Sequence, residues 1–219
     1  SHGLPDLGLI ALGEMSANAA RIAAAVDLPV IADADTGYGN ETTVARTVAL
    51  YERAGVAALH IEDQEWPKRC GFLEGKRVVP AEEMVAKVRA ALAARTDPAT
   101  VLIARTDAYA PLGWEEAVAR ARAYRDAGAD LVFVDGLRTR EDIARVAADL
   151  AGTPQLLNSH LVTPAEASAM GFAVYIHLAV MLRHFRDFRA SLEELRATGR
   201  VALAPEDAGV EPITRLLGG

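Results

Sequence analysis

Six apolar segments, each ending in polar residues and each followed by a helical stretch, constrain this 219-residue chain more than any other feature. They run Leu28–Asp35, Val56–Asp63, Thr100–Asp107, Leu131–Gly136, Pro154–His160 and Phe172–His177. The intervening helices are predicted over Glu41–Ala54, from Pro80 onward, over Trp114–Ala127, over Thr139–Leu150, from the capping-box pattern at Thr163 to Gly171, and over Val180–Thr198. A further helix is expected over Ile10–Val26, while Ser1–Leu9 is irregular and the tail has little pattern. Near-continuous apolar strands are buried on both faces, which requires a parallel sheet with helices outside. A doubly wound sheet would carry a Gly-rich dinucleotide turn after its first strand, and G-Y-G-N at Gly37–Asn40 lacks that spacing. A (β/α)8 barrel of the TIM type gathers its chemistry at the C-terminal ends of all strands, as these do. Such a barrel needs eight strands. The six counted imply one domain over 1–219 that is N-terminally incomplete, with the first two βα units expected before Ser1.

Composition narrows the partners. Net charge is −7 with no basic patch, against nucleic acid and anionic membranes. An apolar fraction of 51% supports a large core, yet no apolar run is long enough to span a bilayer. The single Cys excludes an internal disulfide and is compatible with a cytoplasmic location.

The strand ends collect Asp33 and Asp35, His60 and Glu62, Arg105 and Asp107, Asp135, Asn158 and His160, with His177 as a further candidate. Residues i and i+2 of a strand share a face, so Asp33 and Asp35 are expected to project together. Two adjacent carboxylates favour a divalent cation, Mg²⁺ or Mn²⁺ for an all-oxygen site. Otherwise one Asp caps the next helix and the other is solvated. Arg105 suits bidentate capture of a carboxylate or phosphoryl group, or an ion pair with Asp107. For His160 and His177 a hydrogen-bonded packing histidine is the favoured reading over a functional one. In Lys68-Arg69-Cys70-Gly71 the flanking cations favour a thiolate, and Gly71 and Gly75 permit loop movement; the alternative is a surface Cys in a basic loop.

Three motifs in order, A-D-A-D-T-G-Y-G-N, H-I-E-D-Q followed by P-K-R-C-G, and A-R-T-D-A, resemble the isocitrate lyase/phosphoenolpyruvate mutase superfamily. Within it they are most similar to the methylisocitrate lyase-like branch (2-alkylmalate and carboxyphosphonate enzymes). The likeness runs from about Gly3 to Arg183. It implies a (β/α)8 barrel, often a homotetramer or dimer that exchanges its last helix, and a small anionic carboxylate substrate. By motif, Asp33 would contact Mg²⁺ (or Mn²⁺) directly, Asp35 would do so through water, and Asp6 would lie near the metal. Glu62 would support the water shell. Lys68, Cys70 and Gly71 would form a gating loop, with Cys70 as general acid/base. Arg105, Asn158, Asp135 and Arg183 would bind substrate. The superfamily places two strands and a small-residue loop before G-L-P-D, which agrees with the strand count.

Three departures stand out. Phe72 replaces a usual His, Asp135 a usual Glu, and the segment after Asn158 is short with His160 in place of a smaller polar residue. The resemblance implies a Mg²⁺-dependent carbon–carbon lyase acting on a methylisocitrate- or 2-alkylmalate-type acid. Phosphonomutase, phosphonopyruvate hydrolase, oxaloacetate decarboxylase or hydrolase, and a non-catalytic relative remain as alternatives.

Overall fold

The structure is a computed structural model and describes residues 3–71, 73–203 and 209–216. The chain divides into two compact units, residues 1–176 and 177–219.

In the first unit the elements are α1 Leu12–Ala25, β1 Ile31–Asp33, α2 Glu41–Arg53, β2 Ala58–Glu62, α3 Ala81–Ala94, β3 Val101–Thr106, α4 Tyr109–Leu112, α5 Trp114–Asp126, β4 Leu131–Val134, α6 Arg140–Asp149, β5 Gln155–Asn158, α7 Pro164–Ala169 and β6 Val174–Ile176. The strands form one sheet in the order β1-β2-β3-β4-β5-β6, every pairing parallel. This is a six-stranded arc of a (β/α)8-type barrel, as expected from the strand ends. The strands are shorter than their apolar runs, and the one-turn helix α4 has no separate sequence signal. The helix ends follow the sequence. Asn40 accepts the Thr42 and Thr43 amides at the start of α2, Thr163 and Glu166 form a capping box at α7, and Gly55 and Gly128 take positive φ after α2 and α5. Pro80 is the residue preceding α3 rather than its first residue.

Alternation along the strands sorts two layers. Leu59, Ile61, Leu102, Ala104, Val132, Val134 and Leu157 face the helices and are buried in the two cores under them. Ala58, Ile103, Phe133 and Leu156 share the opposite face and form an inner apolar cluster. Burying each of the larger three contributes about 1.5–3 kcal/mol. Two residues further along each of these strands the same face turns polar, at His60, Arg105, Asp135 and Asn158. The apolar layer is therefore the floor on which the polar layer stands.

The second unit contains α8 Ala179–Thr198 and α9 Glu211–Leu216. Along α8, Val180, Met181, Leu182, Phe185, Phe188, Leu192 and Leu195 are exposed. No described helix is long and apolar enough to cross a membrane.

Candidate active site

The first turn of the site differs from the sequence expectation. Strand β1 ends at Asp33, and Asp35 lies beyond it with φ 47°. The Asp35 amide donates to Asp33 Oδ1 at 2.8 Å, an Asx-type turn that leaves the strand. The turn stays tied to β2, since Ala34 N–H donates to the His60 carbonyl and Glu62 N–H to the Asp35 carbonyl. Asp33 and Asp35 nevertheless line one cavity of about 130 Å³, together with Asp6 and Lys68. Asp35 is buried, whereas the Asp33 side chain is 38% open. Against the effect of burial, the fields of His60, Lys68 and Arg105 hold Asp33 below its ordinary pKa. Burial and the charge of Asp33 push Asp35 upward against Lys68.

Lys68 is a counter-ion within this cavity. Its Nζ lies 2.8 Å from Asp35 Oδ1 and also meets Asp6 Oδ1, with the side chain 5% exposed. Burial alone would lower its pKa, but Asp33, Glu62 and Asp35 outweigh burial and keep the ammonium charged. The loop over residues 64–79 is fixed at its root by Gln64, whose amide donates to Glu62 Oε1 and to the Arg69 carbonyl and accepts the Arg69 N–H. Cys70 N–H donates to the Asp6 carbonyl at 3.1 Å, which sets the Cys70 backbone beside the cavity's acidic rim.

Arg105 and Asp135 meet on the other side of Glu62. Arg105 uses its Nε and Nη2 as a fork on Asp107, at 2.8 and 2.9 Å. Nη2 is also 3.1 Å from Asp135 Oδ2, and Nε is 3.3 Å from Glu62 Oε2. The guanidinium lies 5.1 Å from the Phe133 ring centre, on the apolar floor. The ion pair with Asp107 is thus formed in this structure, and a ligand carboxylate must share Arg105 with these acids. Against burial, Arg105 and Lys76 hold the Asp107 carboxyl down at about 2. Burial pushes Glu62 well above its ordinary value against Arg105, with Asp107 and Asp33 adding to the rise. Lys76, which the sequence reading did not select, is buried against Asp107 and Asp135.

Gly71 is where the loop touches this cluster. A Cβ there would lie 2.0 Å from Asp135 Oδ2 and 2.8 Å from Arg105 Nη2. Both neighbours are buried and paired, so neither yields cheaply. Substituting Gly71→Ala is expected to lift the loop by about an ångström and cut kcat/KM on the order of 100-fold, read by steady-state kinetics with thermal melting as the control for folding.

Asn158 stands at the end of β5, and its Oδ1 is buried with no hydrogen-bond partner among the described residues. His60 Nδ1 and Glu62 Oε2 are likewise buried without one. Asp63, adjacent to Glu62, points the other way. It accepts from Thr106 Oγ1, the Asp107 amide, Arg120 Nη1 and Tyr124 OH, and so welds β2 and β3 to α5. His160 is exposed. Phe72 lies outside the described residues. Arg183 and His177 belong to the second unit, where Arg183 pairs with Asp187 on α8 and is 77% exposed.

The donor set at the cavity fits a small hard cation. It is all oxygen, from Asp6, Asp33 and Asp35, and it includes the open carboxylate of Asp33. Among the described residues no three His, Cys, Asp or Glu side chains converge as a closed metal cage. Mg²⁺ needs only one or two carboxylates, with water and ligand oxygens completing its shell.

The phosphoenolpyruvate phosphomutase family model matches residues 1–196, nearly the whole chain. The chain belongs to this family. Among curated relatives of the phosphoenolpyruvate phosphomutase family, a 2,3-dimethylmalate lyase of Eubacterium barkeri is 42% identical over 189 residues, covering 81% of this chain and 63% of the relative. A probable 2-methylisocitrate lyase of Corynebacterium glutamicum is 51% identical over 139 residues, covering 64% and 46%. The chain thus spans between about half and two thirds of the length of these relatives. An oxaloacetate acetylhydrolase structure with the inhibitor 3,3-difluorooxalacetate superposes with a TM-score of 0.91 at 42% identity, over 99% of this chain and 76% of that one. A phosphonopyruvate hydrolase structure complexed with oxalate and Mg²⁺ gives 0.86 at 30% identity, over 99% and 78%.

Proposed function

We propose that the chain carries a Mg²⁺-dependent carbon–carbon lyase site for a 2-hydroxy di- or tricarboxylate of the 2-alkylmalate or methylisocitrate kind. The observation that carries this reading is the loop over 64–79. It places Lys68 inside the Asp33/Asp35 cavity, tethers the Cys70 backbone to Asp6 and seats Gly71 on Arg105 and Asp135. One loop thereby links a cation site, a thiol and an anion site. The relatives named as 2,3-dimethylmalate and 2-methylisocitrate lyases support the same reaction class.

Asp33 and Asp35 would hold the metal, with Asp6 beside them. When bound, Mg²⁺ supplies positive charge that orients and polarises the 2-oxoacid oxygens. Arg105 receives a substrate carboxylate, and Asn158 Oδ1 accepts a substrate hydroxyl that satisfies its buried lone pairs. A base takes the proton of the substrate hydroxyl, whose oxygen becomes the carbonyl of the 2-oxoacid as the carbon–carbon bond breaks in the retro-aldol sense. Its electron pair passes to the departing carbanion, which takes a proton from Cys70 Sγ. Gly71 and Lys76 keep the loop against the anion site and limit water. The exposed apolar residues of α8 support assembly into a homo-oligomer, and a cytoplasmic location accords with such a metabolic role.

Oxaloacetate cleavage is the second reading, supported by the likeness to oxaloacetate acetylhydrolase over 99% of the chain. The test incubates the protein and Mg²⁺ separately with 2-alkylmalates, oxaloacetate and phosphonopyruvate. Pyruvate release from an alkylmalate is expected. Oxalate release from oxaloacetate alone would move the assignment to the second reading. Phosphate release seen by phosphorus NMR would move it to P–C chemistry.

A further inference from the structure

Lys76 packs against the same two acids as Arg105, which suggests a role beyond holding the loop. Its side chain is 2% exposed, although it comes from a surface loop. Nζ donates to Asp107 Oδ1 at 2.9 Å and lies 3.5 Å from Asp135 Oδ2. Those same two oxygens face Arg105 Nη2, at 2.9 and 3.1 Å. Two cations therefore share two carboxylates, through the same pair of oxygen atoms. Glu62, the third acid beside Arg105, meets it through Nε rather than through the shared Nη2.

This balance matters once an anion arrives. With both cations present, Asp107 and Asp135 are matched, and a docking carboxylate leaves one negative charge unmatched among these groups. Without Lys76 it leaves two, and Arg105 alone must serve Asp107, Asp135 and the ligand. Like charges a few ångströms apart in a partly buried site repel strongly, and buried groups are poorly screened.

We propose that Lys76 is a positioning residue for Arg105: by neutralising Asp107 and Asp135 it lets the guanidinium accept a substrate carboxylate. The proposal rests on Arg105 being the anion site of the function described above. Lys76 itself does not touch the reacting atoms. It acts through the two acids it shares with Arg105.

The test titrates oxalate, with Mg²⁺ present, into the full chain and its variants by calorimetry at low and high ionic strength. K76Q keeps a hydrogen-bond donor but removes the charge. It is expected to bind oxalate about tenfold or more weakly at low salt, with KM for the substrate rising by a similar factor and kcat changing less. K76R restores the charge and is expected to bind within about threefold of the wild type. The double variant K76Q/D135N removes one anion along with the cation, and is expected to recover most of the lost affinity. It also guards against K76Q failing to fold, since it leaves fewer unpaired buried charges. Equal oxalate affinity in K76Q and wild type would overturn the proposal. So would K76R binding as weakly as K76Q, or a double variant that folds but recovers nothing. Wild type that binds no oxalate would overturn the functional reading and this proposal with it. That result is seen before any substitution is made, so the two failures are distinguishable.

Discussion

Cys70→Ser is expected to lower turnover roughly 10²–10⁴-fold, the usual share of a positioned general acid. Mg²⁺-dependent oxalate binding should be nearly unchanged. A hydroxyl is close in size to a thiol, so the loop contacts of the Cys70 backbone with Asp6 and Leu73 are retained. It is a far weaker acid, so the departing carbanion loses its proton source. Single-turnover kinetics on the substrate that wild type cleaves, beside an oxalate titration, separates the two effects. Full activity in this variant would remove Cys70 from the mechanism. Equal loss of activity and of oxalate binding would make it a structural residue of the loop.

The second large effect is expected at Asp33. Asp33→Asn preserves volume and an Oδ1 that can still accept the Asp35 amide, so the turn after β1 should survive. It removes an open carboxylate that carries no lysine counter-ion among the described residues, whereas Asp6 and Asp35 both pair with Lys68. Mg²⁺ affinity measured in the presence of oxalate is expected to fall about a hundredfold or more, since even losing a residue that only supports a metal ligand costs up to that much. Thermal melting without metal should change little. Asp35 is the less sensitive position, because Lys68 already neutralises it at 2.8 Å.

The architecture was legible because two patterns agree. On β2, β3 and β4 the inner face begins apolar and ends polar, as in Ala58-His60-Glu62, Ile103-Arg105-Asp107 and Leu131-Phe133-Asp135, and period-two alternation makes this readable without coordinates. The same alternation separates Glu62, which faces Arg105, from Asp63, which faces Arg120 and Tyr124. The sequence could not show where the strand stops. Asp35 reads as the i+2 partner of Asp33, but a hydrogen bond from its own amide to Asp33 turns the chain away first. The competition at Arg105 was legible as a choice between a ligand and Asp107, and the structure fills the fork with Asp107. Lys76 was not legible. A lysine in a loop has no periodicity, and its partners Asp107 and Asp135 lie 31 and 59 residues away. Asn158 was legible as a polar strand end as well as by motif, and its buried Oδ1, unpartnered among the described residues, adds a physical reason that neither supplied.

A divalent cation at Asp33 and an anionic 2-oxoacid at Arg105 are expected to bind together. Calorimetric titration of oxalate into the full chain, with and without Mg²⁺, measures that coupling. Oxalate is a planar dianion that resembles the enolate of a 2-oxoacid and resists cleavage. Binding is expected with Mg²⁺ and not without it, retained in Cys70→Ser and lost in Asp33→Asn. Binding that is equally tight without Mg²⁺, or unchanged in Asp33→Asn, would rule out a metal-coupled oxoacid site.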